Sequence, residues 1–280
     1  MPILDNLVHS KTQEGVRIVI AGQEKMGKTT LVSQSFRPLL VPLEIGYSGI
    51  DIHRTQMLES YSDVMSLLGE ITTQAQTGSF PYRTLIFDSG TALERMIHQS
   101  ILEMDSSYSQ GNKKAVTMES ALGGYGKAYT YANEKFDRFL KALDVLAVRG
   151  GITVVVTCHV FAAKLIDPNV GEYDSWDLQL HSPKNQKTYG KREMITQWAD
   201  AIGFLYEPIF VTKGENITKG MSSNKGRVLG LSRTPSYVAG NRFGVEGEIA
   251  IPKVDGWNHF ANAIYQSSGI NIFNVEETPS

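Results

Sequence analysis

The stretch Gly22-Gln23-Glu24-Lys25-Met26-Gly27-Lys28-Thr29 limits the possible folds of this chain more than any other. It satisfies G-x-x-x-x-G-K-[ST], and it stands between a β-branched run, Val16 to Ala21, and a helix candidate, Lys28 to Ser35. The spacing has a physical reason. Two glycines let the backbone curl until successive N–H groups point inward at phosphate oxygens. A helix that begins at the lysine turns the positive end of its dipole on the same anion. In that geometry Lys28 bridges the β- and γ-phosphates, the Thr29 hydroxyl ligates Mg2+, and the contact surface runs from Gly22 through Thr30. A chance glycine-rich turn would satisfy the pattern too, but the strand before it and the helix after it are the context that the functional reading requires. The expectation is a chain that binds a nucleoside triphosphate.

Three more apolar runs read as strands covered on both faces: Leu39 to Glu44, Thr84 to Asp88 and Ile152 to Thr157. Helix candidates at Ser62 to Thr77, Thr91 to Asp105 and Tyr125 to Val148 separate them. In the last of these, Tyr129, Phe136, Leu140, Leu143 and Leu146 recur at nearly helical spacing. Alternation of this kind predicts right-handed crossovers and a mainly parallel central sheet with helices on both faces. After Trp198 shorter runs (200–206, 209–212, 227–231 and 248–251) sit between glycine-rich turns and predict an antiparallel extension. One domain over 15–266 is expected, with an N-terminal segment, 1–14, and a frayed tail, 267–280.

Two strand ends carry chemistry. Asp88 closes the TLIFD run, where a carboxylate can hold the Mg2+ shell through water; an aspartate capping the next helix is the plainer explanation. Glu44 closes LLVPLE, where it can polarise a water attacking the γ-phosphate. A solvated loop glutamate is its plainer reading. His159, at the tip of VVTCH, can sense the γ-phosphate and relay its state to the loop that follows.

Composition removes other classes. The chain is 41% hydrophobic and 20% charged, an ordinary globular mix. One cysteine, Cys158, excludes a disulfide scaffold and a zinc ribbon. With 27 basic and 29 acidic side chains the net charge is −2, so any nucleic-acid contact must come from a local patch. No signal peptide and no uninterrupted apolar span of membrane length is evident, so no membrane partner is expected and the reading is a soluble, cytoplasmic protein. Asn224-Lys225 is followed by Gly226-Arg227, not by the N-K-x-D that guanine recognition needs, which points to ATP.

Phosphate loop, strand-end Glu44, the IFDS segment and the VVTCH tip follow the order found in RecA-like P-loop ATPases. The later Asn241-Arg242-Phe243-Gly244 resembles a phage branch of them, the RecA-like recombinases associated with single-strand annealing. The resemblance covers about residues 15–250. It implies a RecA-like core, Mg-ATP hydrolysis, binding of single-stranded DNA, assembly into a ring or filament, and a single-strand-binding protein as a further partner. If the phage resemblance holds, the cytoplasm is that of a bacterial host. By carry-over Glu44 is the catalytic glutamate, and His159 replaces the glutamine usual in RecA itself.

The resemblance also directs attention to the loop within Phe161 to Arg192 as a DNA contact. Its last part carries Lys184, Lys187, Lys191 and Arg192 with Tyr189 among them; cations follow a phosphate backbone and an aromatic stacks on bases. Its first part holds Asp167, Glu172, Asp174 and Asp177, which repel DNA, so a charge-mixed surface loop is an equal reading on composition. Gln110 to Lys114 is a second candidate patch. For a cation reaching a neighbouring subunit's γ-phosphate the candidates are Arg242 and Arg233, with Lys225 behind them; Arg242 can instead pair with a carboxylate at the core edge. A nucleotide-gated binding module with little turnover and a ring helicase-like motor are the competing functions. A metabolic kinase lacks the expected arginine-rich lid.

Overall fold

In the computed structural model, residues 15–105, 116–183, 189–213, 218–222 and 226–273 are described. The chain runs β1 (Arg17–Ala21), α1 (Lys28–Val32), β2 (Pro38–Pro42), α2 (Tyr61–Gln76), β3 (Thr84–Asp88), α3 (Gly90–Leu102), α4 (Lys127–Gly150) and β4 (Thr153–Cys158). It continues with β5 (Val160–Asp167), β6 (Gly171–Leu178), α5 (Lys191–Trp198), β7 (Ala201–Tyr206), β8 (Ile209–Lys213) and β9 (Thr218–Ser222). The last elements are β10 (Arg227–Gly230), β11 (Gly240–Asn241), β12 (Glu248–Ile251) and α6 (Gly256–Ser268).

The central sheet has the order β12-β10-β7-β1-β4-β3-β2, with β11 also paired to β7. From β7 to β2 all neighbours are parallel, and β10, β11 and β12 are antiparallel additions. Alternate residues of each strand face opposite layers, as the pleat demands. Val19 and Ala21 join one apolar cluster with α2, α3 and α4, while Ile18 and Ile20 join another with α1 and α6. Both faces of the sheet are covered, so its strands read as continuous apolar runs. The expected fold class, a mainly parallel α/β sheet of the P-loop NTPase type, is the observed one.

Four expectations need correcting. The run after Trp198 is not all antiparallel: β7 pairs parallel with β1, so the parallel core extends one strand further. Within 161–192 the first part is not a loop, because β5 and β6, eight residues each, pair as an antiparallel hairpin up to Leu178, and α5 already begins at Lys191. β5 is exposed or half-buried along its length after Val160, so it offers no continuous apolar run to read. The tail does not fray at 267: α6 reaches Ser268, and beyond it Ile272 is buried and its carbonyl accepts the Trp257 indole N–H at 2.8 Å. Glu44 lies two residues beyond β2 rather than in it.

Outside β2, residues 53–58 run along its edge. Leu40 bridges Arg54, the Leu40 N–H donates to the His53 carbonyl at 2.9 Å, and the Thr55 N–H donates to the Leu40 carbonyl at 3.0 Å. Among the described residues no helix is long and apolar enough to cross a membrane.

Candidate active site

The functional side chains gather at the C-terminal ends of β1, β2, β3 and β4, the crevice where open parallel sheets bind ligands. β1 delivers the phosphate loop. Gly27 caps α1 in the left-handed region at φ 89°, a conformation glycine adopts without strain, and a Cβ there would come 2.2 Å from Arg227 Nη1. The Leu31 N–H then donates to the Gly27 carbonyl at 3.0 Å, which closes the first helical turn. Lys28 is only 6% exposed, and its Nζ donates to the carbonyls of Gly22 at 2.8 Å and Gln23 at 2.9 Å. Burial lowers the Lys28 pKa, against the opposing pull of the Asp88 carboxylate.

β3 delivers Asp88, which ties three segments together. The Thr29 hydroxyl donates to Asp88 Oδ2 at 2.7 Å, and the Thr157 hydroxyl on β4 donates to Oδ1. The Leu43 N–H donates to the Asp88 carbonyl at 2.8 Å, setting the register of the chain that leads to Glu44. Asp88 is therefore not the cap of the following helix. Ser89 is: its hydroxyl accepts the Ala92 N–H at 3.2 Å.

The same Ser89 hydroxyl donates to Glu44 Oε1 at 2.6 Å, where His159 Nε2 also lies at 2.8 Å. Arg95 of α3 holds the other carboxylate oxygen, Oε2, at 2.8 Å. Burial works to raise the Glu44 carboxyl, but the hydrogen bonds from His159 and Ser89 and the charges of His159 and Arg95 outweigh it and bring the pKa down to about 2. His159 is fixed from behind by its backbone N–H, which donates to the Thr91 hydroxyl at 3.1 Å, and its buried Nδ1 has no hydrogen-bond partner among the described residues. Burial raises the neighbouring Cys158 thiol to about 12, so it remains an un-ionised packing group.

Lys28, Thr29, Asp88, Glu44 and His159 are thus brought together as the sequence suggests. Four contributors went unnoticed there. Ser89 and Thr157 sit inside the motifs already singled out, so their hydroxyls were a readable signal. Arg95 lies further along α3, and Arg227, whose guanidinium donates to the Met26 and Gly27 carbonyls at 3.3 and 3.4 Å, comes from β10. Neither arginine carries a local sequence signal.

The candidate DNA cations fare differently. Lys191 is wholly buried, with Nζ 3.2 Å from Glu94 Oε1, and burial lowers its pKa against that carboxylate. Arg192 is engaged by Asp177 at 2.5 Å and Glu193 at 2.6 Å. Both are structural cations holding α5, so neither is free to follow a phosphate backbone. Asp177, taken to repel DNA, is the buried partner of Arg192. Tyr189 is 65% exposed. Lys184, Lys187, Lys225 and the 110–114 patch lie outside the described residues.

Arg242 is not part of this site in its own chain. It follows Asn241, which pairs with Ala201 at the start of β7, and so it lies at the opposite end of the sheet from the phosphate loop. There it donates to Asp200 at 2.9 Å and to the Gln197 carbonyl. Asp200 also receives Arg17 at 2.7 Å. Arg233 and Arg242 line a cavity of about 620 Å³ between the β5–β6 hairpin, α5 and the segment leading to β11.

These residues fit a magnesium–nucleotide. Thr29 and Asp88 offer two hard oxygen donors already in contact, the chemistry Mg2+ prefers, and a desolvated lysine beside a helix N-terminus calls for an anion. A protein of Bacillus subtilis (strain 168), named SPbeta prophage-derived uncharacterized protein YorG, is 24% identical over 152 residues, or 54% of this chain and 43% of that one. The chain thus spans less than half the length of this relative. Residues 14–243 match the family model described as AAA domain, well over half of the chain, and the protein belongs to that family of P-loop ATPases.

Proposed function

We propose that the protein is a Mg-ATP-dependent ATPase of the RecA-like class that binds single-stranded DNA and acts in phage-type recombination, annealing or repair. What carries the reading is the convergence of Lys28, Thr29, Asp88 and Glu44 at adjacent strand ends. In this reading Lys28 and the loop amides orient the β- and γ-phosphates, and Thr29 with Asp88 would hold Mg2+. The metal supplies charge neutralisation along the phosphates when bound. Glu44 accepts a proton from water as its oxygen bonds to the γ-phosphorus, and the bridging P–O bond breaks towards ADP. The prophage origin in the relative's name supports the phage setting, and the motif order of the RecA-like ATPases supports the DNA. Assembly of copies into a ring or filament, a trans-acting Arg242 or Arg233, and a single-strand-binding protein as partner belong to the same proposal.

Steady-state hydrolysis with and without oligo(dT) tests it. Lys28→Ala is expected to remove about 2–5 kcal/mol of nucleotide binding and with it turnover. Glu44→Gln is expected to keep nucleotide binding and lose about 10²- to 10⁴-fold in rate. A Glu44→Gln protein that hydrolyses ATP at the native rate sinks the assignment.

A second reading has one observation in its favour. All the hydrogen bonds to the Glu44 carboxylate engage it at once, which suits a nucleotide-gated module that turns over slowly. Negligible hydrolysis at saturating oligo(dT), with nucleotide-dependent DNA binding retained, selects that reading.

A further inference from the structure

The two oxygens of Glu44 are held by different kinds of group. Oε1 receives Ser89 and His159, both anchored in turn: Ser89 is 0% exposed and caps α3, and the His159 backbone is bonded to Thr91. Among the described residues Oε2 receives only Arg95, whose side chain is 61% exposed. An exposed ion pair is worth about 0–1 kcal/mol and exchanges readily, whereas buried hydrogen bonds do not.

The helix beneath Arg95 is braced. Glu94, the preceding residue, accepts the His181 N–H at 2.8 Å and lies 3.2 Å from the ammonium of the wholly buried Lys191. His98, one turn on, packs edge-on against Tyr129, which stacks on His181 at 4.0 Å. α3 is thereby fixed to α4 and to the start of α5, so Arg95 can leave Glu44 by rotating its own side chain while the helix stays in place.

We infer that Arg95 is a positioning residue that latches Glu44 through Oε2, so that Oε1 is the anchoring oxygen and Oε2 is the one that takes the proton from water once Arg95 has left. With the latch closed, Oε2 is occupied by a cation and its basicity is spent on that contact. With it open, the carboxylate keeps its orientation through Oε1 and regains basicity at Oε2. The group that draws Arg95 away is a phosphate anion, since a guanidinium exchanges one planar oxyanion for another with little loss. That phosphate comes either from the bound nucleotide or from a nucleic-acid backbone. The inference rests on Glu44 being the base, and it adds what regulates that base.

The experiment measures kcat and KM of the full chain for ATP hydrolysis, with nucleotide alone and with saturating oligo(dT), for the native protein, Arg95→Ala, Arg95→Lys and Glu44→Gln/Arg95→Ala. For Arg95→Ala the expected result is a kcat raised about fivefold or more in the DNA-free arm with KM unchanged, the scale of ordinary coupling between sites. Arg95→Lys is expected to fall between, and the double variant to be inactive because the gain runs through Glu44. A native rate that climbs towards that of Arg95→Ala on adding oligo(dT) identifies the backbone phosphate as the opener. A native rate indifferent to oligo(dT) alongside a raised Arg95→Ala rate supports the latch with the nucleotide's phosphate as opener, and counts against the DNA reading alone. An Arg95→Ala kcat at or below native in both arms overturns the latch. Activity in the double variant overturns the Glu44 assignment itself.

Discussion

At the scale of single residues, the carboxylates of the site illustrate how neighbours decide chemistry. Asp88 bonds two hydroxyls, from Thr29 and Thr157, and so remains an oxygen donor suited to a metal shell. Glu44 is bonded by Ser89, His159 and Arg95, and its pKa falls from 4.5 to about 2. The sign of the linkage follows. A carboxyl whose folded pKa is depressed contributes stability that is fully present above its unfolded value, near 4.5, and is lost as pH falls towards 2. The gap in urea-unfolding free energy between native protein and Glu44→Gln is therefore expected to narrow between pH 5 and the acid limit. A gap that stays constant over that window would mean the network does not favour the ionised form. At neutral pH Glu44 is ionised throughout, so it produces no acid limb in the hydrolysis profile above pH 5.

At the scale of elements, the charges that looked free in the sequence turn out to be fastenings. Lys191 at the first turn of α5 is buried against Glu94 of α3, and Arg192 reaches back to Asp177 of β6. Truncating Lys191 to Ala leaves Glu94 partly buried without its cation, a loss of the order of 3–5 kcal/mol. Glu94→Gln combined with Lys191→Met is expected to cost distinctly less than the single truncation, read as urea midpoints. Equal losses would show that the ion pair is not what Lys191 supplies. The sequence could not reveal this. A basic run reads the same whether its partners are phosphates or carboxylates distant in the chain, and two of the acids that pair with it, Asp177 and Glu94, lie on β6 and α3. By contrast β1, β3, β4 and the helices between them were legible, because both faces of a parallel sheet demand unbroken apolar runs. The phosphate loop and Asp88 were legible for a related reason: their backbone geometry fixes which residue types can stand there. Arg95 and Arg227 were not, since only the folded sheet brings α3 and β10 to the loop.

At the scale of the whole molecule, the described C-terminal residues, 256–273, belong to the core rather than trailing from it. Trp257 is 1% exposed within the layer that also holds α1, and its indole bonds the carbonyl of Ile272, itself 8% exposed. Ending the chain after Ser268 removes that hydrogen bond and exposes the face that Ile272 covers, an expected loss of about 1.5–3 kcal/mol. The check is the thermal or urea midpoint of the shortened protein. An unchanged midpoint would return residues 269–273 to the status of a loose end. The sheet also has two distinct poles. One carries the phosphate loop, and the other carries Arg17, Asp200 and Arg242 in a linked set of ion pairs.

The strip 53–58 lying against β2 has a consequence for any assembly of many copies. Backbone groups of β2 that would otherwise be open to pairing are engaged by it, from the Leu40 amide and carbonyl to the carbonyl of Pro42, which accepts the Leu58 N–H at 3.2 Å. A closed border of this kind resists recruitment of foreign strands. Copies that join on this flank must therefore meet through side chains, with a geometry that mutation can tune residue by residue. Growth by continuing the hydrogen-bonded ladder of the central sheet is left to the short outer border at β12.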